Sequence, residues 1–147
     1  MKKIISILLV LIAISLPVYA AMRSVAIDGA KLRKGPGPDY EEIFDYSKYT
    51  PLRLIEKGSY YSKVQDWQGM TGWIENDTLS MNPTAVVRKI KVNLRSGPGT
   101  GYRMVTKLLK GSVLEIEKKY YNWYKVRVVD PPTDEEGWVY NTLVWGY

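Results

Sequence analysis

Leu94-Arg95-Ser96-Gly97-Pro98-Gly99-Thr100-Gly101-Tyr102 has a near copy 62 residues upstream, Leu32-Arg33-Lys34-Gly35-Pro36-Gly37-Pro38-Asp39-Tyr40. The same register lays Ile43 on Val105, Leu52 on Leu114, Leu54 on Ile116, Lys63 on Lys125 and Val64 on Val126. Beyond Val126 the offset becomes 65, so that Gly72-Trp73-Ile74-Glu75-Asn76 falls on Gly137-Trp138-Val139-Tyr140-Asn141. The chain is therefore an internal duplication whose second copy has gained three residues. The gain lies around Pro131-Pro132-Thr133-Asp134, where prolines cannot donate to a sheet ladder, and this predicts a surface hairpin loop.

Period-2 alternation runs from Arg88 to Leu94 within Val86–Leu94, through Val113–Glu117 and through Tyr124–Val128, with Trp138-Val139-Tyr140 as a short final strand. No segment after the first twenty residues carries a helical period. Short strands rich in Val, Ile, Tyr and Trp, separated by Gly and Pro, predict a small all-β barrel in each copy. Pro36-Gly37 and Pro98-Gly99 have the form of a type II turn centre, which predicts positive φ at Gly37 and Gly99. Gly72 and Gly137, each before a tryptophan, are expected where a hairpin strand closely approaches its neighbour. Arg33 and Arg95 are expected to orient the adjoining loop through carbonyl or carboxylate hydrogen bonds.

The ordered combination Asn93-Leu94-Arg95-Ser96-Gly97-Pro98-Gly99, an apolar strand after Lys110-Gly111, Trp123-Tyr124-Lys125-Val126-Arg127 and Gly137-Trp138-Val139 resembles the bacterial SH3 (SH3b) domain. The resemblance spans about residues 25 to 80 and 86 to 146. It implies two tandem small SH3-like barrels of five or six strands, with the Gly-Pro-Gly excursion as the long first loop. The first copy departs from the second in having Tyr61 for Trp123 and Lys31 for Asn93. That difference argues against equal ligand binding by the two copies.

Composition removes most catalytic chemistry. With no histidine and no cysteine, the chain lacks the usual general base, the commonest metal ligand and a thiolate nucleophile. Glu41-Glu42 and Asp134-Glu135-Glu136 are neighbours in predicted loops, not carboxylates converging from separate strands, and no calcium-loop spacing is present. The expectation is a protein without enzymatic activity, cofactor or metal. Aromatic residues are abundant, with 12 Tyr and 5 Trp. Aromatics supply contact area at low entropic cost, and in an SH3-like barrel those flanking the first loop line a groove for an extended peptide. The candidate ligand-binding residues are Tyr102, Tyr121, Trp123 and Trp138 in the second copy and Tyr40, Tyr61 and Trp73 in the first. For Trp73 and Trp138 a half-buried structural role is the competing reading.

Residues 21–80 hold eight Lys/Arg against nine Asp/Glu, a net charge of −1, whereas residues 81–147 hold eleven against six, a net charge of +5. The basic character thus belongs to the second copy and suits an anionic envelope polymer or an acidic protein surface. The N-terminus gives the compartment: Lys2-Lys3, an apolar run from Ile4 to Leu16, and Pro17-Val18-Tyr19-Ala20 ending in small residues read as an export signal. This run of thirteen residues, broken by Ser6 and Ser15, falls short of the roughly 17 to 25 a membrane-spanning helix needs. The expected organisation is a signal peptide at 1–20, a first SH3b domain at 22–80, a linker at 81–85 with limited relative motion, and a second SH3b domain at 86–147. The function expected is recognition of cell-wall peptidoglycan or another envelope component in the periplasm or outside the cell. The alternative is a periplasmic module docking an envelope protein. Nucleic acid is not an expected partner, and no stable membrane span is expected after cleavage.

Cleavage after Ala20 places Val18 and Ala20 at the positions a signal peptidase reads, so the exported protein is expected to begin at Ala21. Intact-mass measurement on exported protein checks this, and a retained leader would contradict it.

Overall fold

A computed structural model of the protein describes residues 21–147, so the signal assignment at 1–20 lies outside the described residues. The first repeat comprises β1 (Met22–Val25), β2 (Ala30–Arg33), β3 (Glu42–Tyr46), β4 (Pro51–Glu56), β5 (Tyr61–Gln65), β6 (Thr71–Glu75) and β7 (Leu79–Ser80). The second comprises β8 (Thr84–Val87), β9 (Lys91–Arg95), β10 (Met104–Leu109), β11 (Val113–Tyr120), β12 (Trp123–Asp130), β13 (Glu136–Tyr140) and β14 (Val144–Gly146). Their sheet orders are β3-β2-β6-β5-β4-β1-β7 and β10-β9-β13-β12-β11-β8-β14, strand for strand the same topology. A single 3-10 turn precedes the last strand of each, at Asn76–Thr78 and Asn141–Leu143. Each repeat is thus a small all-β, SH3-like barrel, with seven strands where five or six were expected.

Alternation places the cores. Leu32, Leu52, Val64 and Ile74 fill the first barrel; Leu94, Leu114, Val126 and Val139, their counterparts, fill the second. One difference inside the barrels is polar. Tyr46 donates its hydroxyl to Asp66 at 2.9 Å, and burial first, then Asp66, pushes the phenol pKa well up. Asp66 also accepts the Gln68 and Met70 amides, closing the short β5–β6 turn. Leu108 and Val128 stand at these two positions in the second core. There the chain between the last paired residues of the hairpin, Arg127 and Glu136, is longer than that between Gln65 and Thr71 and carries the extra residues, part of them in the extension of β12 to Asp130.

Two local expectations need correction. The alternation from Arg88 to Leu94 is not one strand: the chain turns at Lys89 and Ile90 between β8 and β9. β8 pairs with β11 and β14 while β9 pairs with β10 and β13, so the two must diverge. Nor do Gly37 and Gly99 adopt positive φ. The Gly37 amide bonds Gly35 O at 3.0 Å and the Gly99 amide bonds Gly97 O at 2.9 Å, three-residue turns centred on the prolines. What these loops require is room, because a Cβ on Gly35 or Gly97 would collide with the ring of Tyr40 or Tyr102. Left-handed backbone occurs at other positions, among them Gly111 (φ 92) and, aligned with it, Tyr49 (φ 71). The close approaches expected at Gly72 and Gly137 are present: a Cβ on Gly137 would meet Arg95 O at 2.6 Å and Leu94 Cγ at 2.8 Å.

The repeats pack against each other through β8. All four of its residues are buried, with Ala85 and Val87 in the second core. Val86, cross-strand to Val113, instead shares a small cleft with Thr50 and Pro51 of the first repeat. Only Met81, Asn82 and Pro83 separate β7 from β8. Asn82 bridges the two sides, its carbonyl accepting Ser24 Oγ at 2.7 Å and its amide Nδ2 donating to Glu115 Oε2 at 2.6 Å. Arg127 holds the other Glu115 oxygen at 2.5 Å, and Arg53 lies 5.4 Å from the Trp145 ring centre across the seam.

Two measurements test this packing. Gly137→Ala must displace a neighbouring backbone and is expected to cost about 1 to 3 kcal/mol. Gly99→Ala meets only the Tyr102 ring edge, at 3.3 Å, and should cost clearly less in the same urea titration. Glu115 is held below the ordinary glutamate value, chiefly by the Asn82 hydrogen bond and, against partial burial, by Arg127. A carboxylate lowered in this way stabilises the fold fully above its unfolded pKa and ceases to do so as pH falls through the folded one. Glu115→Gln should therefore be less stable than the parent by about 1 kcal/mol at pH 7, the difference closing at acid pH.

Candidate functional site

A groove of about 620 Å³ opens on the second repeat, lined by Lys91, Asn93 and Arg95 of β9, Gly99 and Thr100 of the first loop, and Trp123, Tyr140 and Leu143. Its volume lies in the range of small-ligand sites. Strand alternation builds the floor. Val92 and Leu94 point into the barrel and send Lys91, Asn93 and Arg95 outward; Val126 and Val139 do the same for Trp123 and Tyr140. Trp123 and Tyr140 are cross-strand partners, their ring centres 5.3 Å apart at 66°.

The loop wall is fixed by Arg95, as expected. Its Nη1 donates to Thr100 O and Tyr102 O, both at 3.1 Å, and Ser96 N bonds Arg103 O at 2.8 Å. Tyr102 lies over Gly97 on the loop and remains half exposed. Arg33 makes the same pair of contacts in the first repeat, to Pro38 O and Tyr40 O at 3.0 Å, and adds Glu42 at 3.2 Å. Lys31, aligned with Asn93, is bonded to Glu42 at 3.0 Å and to Asp45 at 3.2 Å, which hold its ammonium pKa above the ordinary lysine value.

The seven aromatics singled out in the sequence do not converge on one surface. Trp123 is on the groove floor. Tyr121 sits at the tip of the β11–β12 hairpin, 78% exposed, with Tyr120 edge-on at 4.8 Å. Trp138 is half-buried on the outer sheet face, cross-strand to Arg95 and Lys125 and 6.4 Å from Tyr120. In the first repeat Tyr40 matches Tyr102, Trp73 matches Trp138 in pairing with Arg33, and Tyr61 faces Glu75 where Trp123 faces Tyr140. Tyr140, Lys91, Asn93 and Leu143 were not among the sequence candidates. Tyr140 could have been found by register, since Gly137 and Val139 in the core leave it on the face of Trp123.

Two stretches of the chain, residues 28–80 and 91–144, match the bacterial SH3 domain profile. The chain belongs to the bacterial SH3 domain family. Among curated proteins it is similar to YrvJ of Bacillus subtilis (strain 168), named as an N-acetylmuramoyl-L-alanine amidase, with 23% identity over 113 residues. That match covers 69% of this chain and 22% of YrvJ, so the chain spans less than a quarter of that relative. Among solved structures it is similar to NlpC2 from Trichomonas vaginalis, at 12% identity, 86% of this chain, 48% of that one and a TM-score of 0.39. An NlpC/P60 family protein from Bacillus cereus ATCC 10987 matches at 13% identity, 86% of this chain, 56% of that one and a TM-score of 0.37. As a member of this family the chain carries two tandem SH3b barrels.

Proposed function

We propose that the protein is a non-enzymatic, exported binding protein of the bacterial cell envelope that holds peptidoglycan through the groove of its second repeat. The observation that carries this reading is the groove itself, where an aromatic pair and two cationic side chains meet on one face of an SH3b barrel. YrvJ, which shares this stretch, is named for an activity on N-acetylmuramoyl-L-alanine, and this supports a wall ligand in the periplasm or outside the cell. The residues favour binding over catalysis. The chain has no histidine or cysteine, and Glu41, Glu42 and Asp134 are engaged in surface ion pairs. Trp123 supplies the largest ring on the floor, whereas Tyr61 faces a carboxylate at the matching place.

Co-sedimentation of the exported chain with purified sacculi tests the reading. The parent should be retained. Trp123→Ala should weaken retention at least tenfold, about 1.4 kcal/mol, while Tyr61→Ala stays within about twofold. Binding should also fall with added salt, because exposed charges are screened over roughly 8 Å at physiological ionic strength. No retention of the parent overturns the wall reading in favour of docking to an envelope protein; equal losses in the two variants overturn the second-repeat assignment.

A further inference from the structure

Tyr121, left apart from the groove, tops a hairpin that differs in build between the repeats. In the first repeat the β4–β5 connection folds back on its barrel. Asn76 Nδ2 donates to Gly58 O at 2.9 Å, Ser62 Oγ donates to Asn76 Oδ1 at 2.6 Å, and the Gly58 amide bonds Ser62 Oγ at 3.3 Å. A Cβ on Gly58 would collide with Tyr61 O. The second repeat has Tyr120 at the position of Gly58, Tyr121 at that of Ser59 and Tyr124 at that of Ser62. Its strands stay paired out to Tyr120 and Trp123, with only Tyr121 and Asn122 between them, and every residue from Glu117 to Asn122 is exposed. Two features of this hairpin are unfavourable to folding. Tyr121 takes left-handed backbone (φ 50), which glycine accepts more readily than tyrosine does. Asn141 Oδ1, the counterpart of the Asn76 acceptor, is buried without a hydrogen bond among the described residues. Backbone strain of this kind collects where function competes with stability.

What this tip carries in return is aromatic surface and positive charge. Tyr121 is 78% and Tyr120 49% exposed, their rings edge-on at 4.8 Å, and the Tyr120 ring lies 6.4 Å from that of Trp138. Lys119 and Lys118, the latter where the first repeat has Glu56, stand just before the pair. Glu117 is held by Lys125 at 3.5 Å, and among the described residues no carboxylate is ion-paired with Lys118 or Lys119. Alternation puts these two lysines on opposite faces of the ribbon, Lys118 across from Lys125 and Lys119 across from Tyr124. We infer that the tip is a membrane-surface anchor, its tyrosines entering the headgroup layer of an anionic bilayer while Lys118 and Lys119 meet the lipid phosphates. An exposed hairpin end encloses no small ligand, whereas a deformable interface can receive it. Tyrosine, an apolar ring with a polar tip, favours the boundary between headgroups and hydrocarbon, and lysines reach anionic headgroups on flexible stems. Two rings and two uncompensated charges make a weak, reversible and salt-sensitive contact that lies on the bilayer without crossing it. The groove takes no part in it.

Co-sedimentation of the full exported chain with lipid vesicles tests the inference. The parent should bind vesicles of mixed phosphatidylglycerol and phosphatidylcholine, lose them as salt is added, and ignore phosphatidylcholine alone. Tyr121→Gly should melt at the parent's temperature or above it, because glycine relieves the left-handed backbone, yet bind the mixed vesicles at least about fivefold more weakly. Lys118→Glu and Lys119→Glu, at exposed positions, should each weaken binding by about fivefold or more. Tyr60→Ser removes an equally exposed tyrosine, at 80%, from the matching hairpin of the first repeat. That variant should stay within about twofold of the parent. If thermal melts show Tyr121→Gly unfolded, the two lysine reversals decide the matter. A parent that ignores the mixed vesicles, or binds phosphatidylcholine as well, overturns the inference. So does a folded Tyr121→Gly, or a pair of lysine reversals, that binds like the parent. Soluble poly(glycerol phosphate) that displaces the vesicles at matched phosphate concentration also overturns it, since the tip would then recognise phosphate and not a bilayer.

Discussion

The guanidinium of Arg95, bonded to the carbonyls of Thr100 and Tyr102, is the constraint on which the candidate site depends. A long excursion between two strands has no ladder of its own, and its carbonyls need donors. Arg95 leaves β9 at the point where the excursion begins and reaches back to tie its far side. Tyr102 then closes over Gly97, which is why no side chain larger than hydrogen fits there. The result is a rigid wall beside a sheet face, and the groove is the space between them. Arg33, Gly35 and Tyr40 repeat the device in the first barrel. The same loop wall is therefore common to both copies.

What the copies did not keep in common is the lining and the outer contacts. The first barrel spends its acids on β3 and a polar Tyr46–Asp66 pair in its interior; the second has Leu108 and Val128 inside and cations outside. Only one side of the second barrel is committed to its neighbour. There β8 is covered on both faces, and Asn82, Glu115 and Arg127 are hydrogen-bonded in series. Tyr49 keeps a left-handed backbone beside this seam at the position where the second repeat has glycine. That conformation costs a side-chain-bearing residue more than it costs glycine.

Much of the fold was legible in the sequence because the duplication could be read twice. The alignment of Leu32 with Leu94 and of Val64 with Val126 picked out core positions, and the change of offset after Val126 marked the β12–β13 loop as the place of insertion. The glycines were harder. Pro98-Gly99 has the composition of a type II turn, but the need for glycine in this loop is greatest at Gly97 and comes from a ring five residues on, which a dipeptide rule does not see. The alternation through Arg88–Leu94 misled for a similar reason, since polarity does not record that β8 and β9 pair with different strands. The candidate site was legible in part. Tryptophan drew attention to Trp123, whereas Tyr140 was overlooked because its counterpart is Glu75, and Lys91 because its counterpart is Gly29.

One groove, on one repeat, is proposed to engage the ligand. Its most direct test is an amide and indole chemical-shift titration of the full exported chain with soluble muropeptides. The perturbed signals are expected to cluster at Asn93, Thr100, the Trp123 indole and Tyr140, while those of Lys31, Tyr61 and Glu75 stay in place. Perturbations spread equally over both repeats, or gathered at the β8 seam, would contradict it.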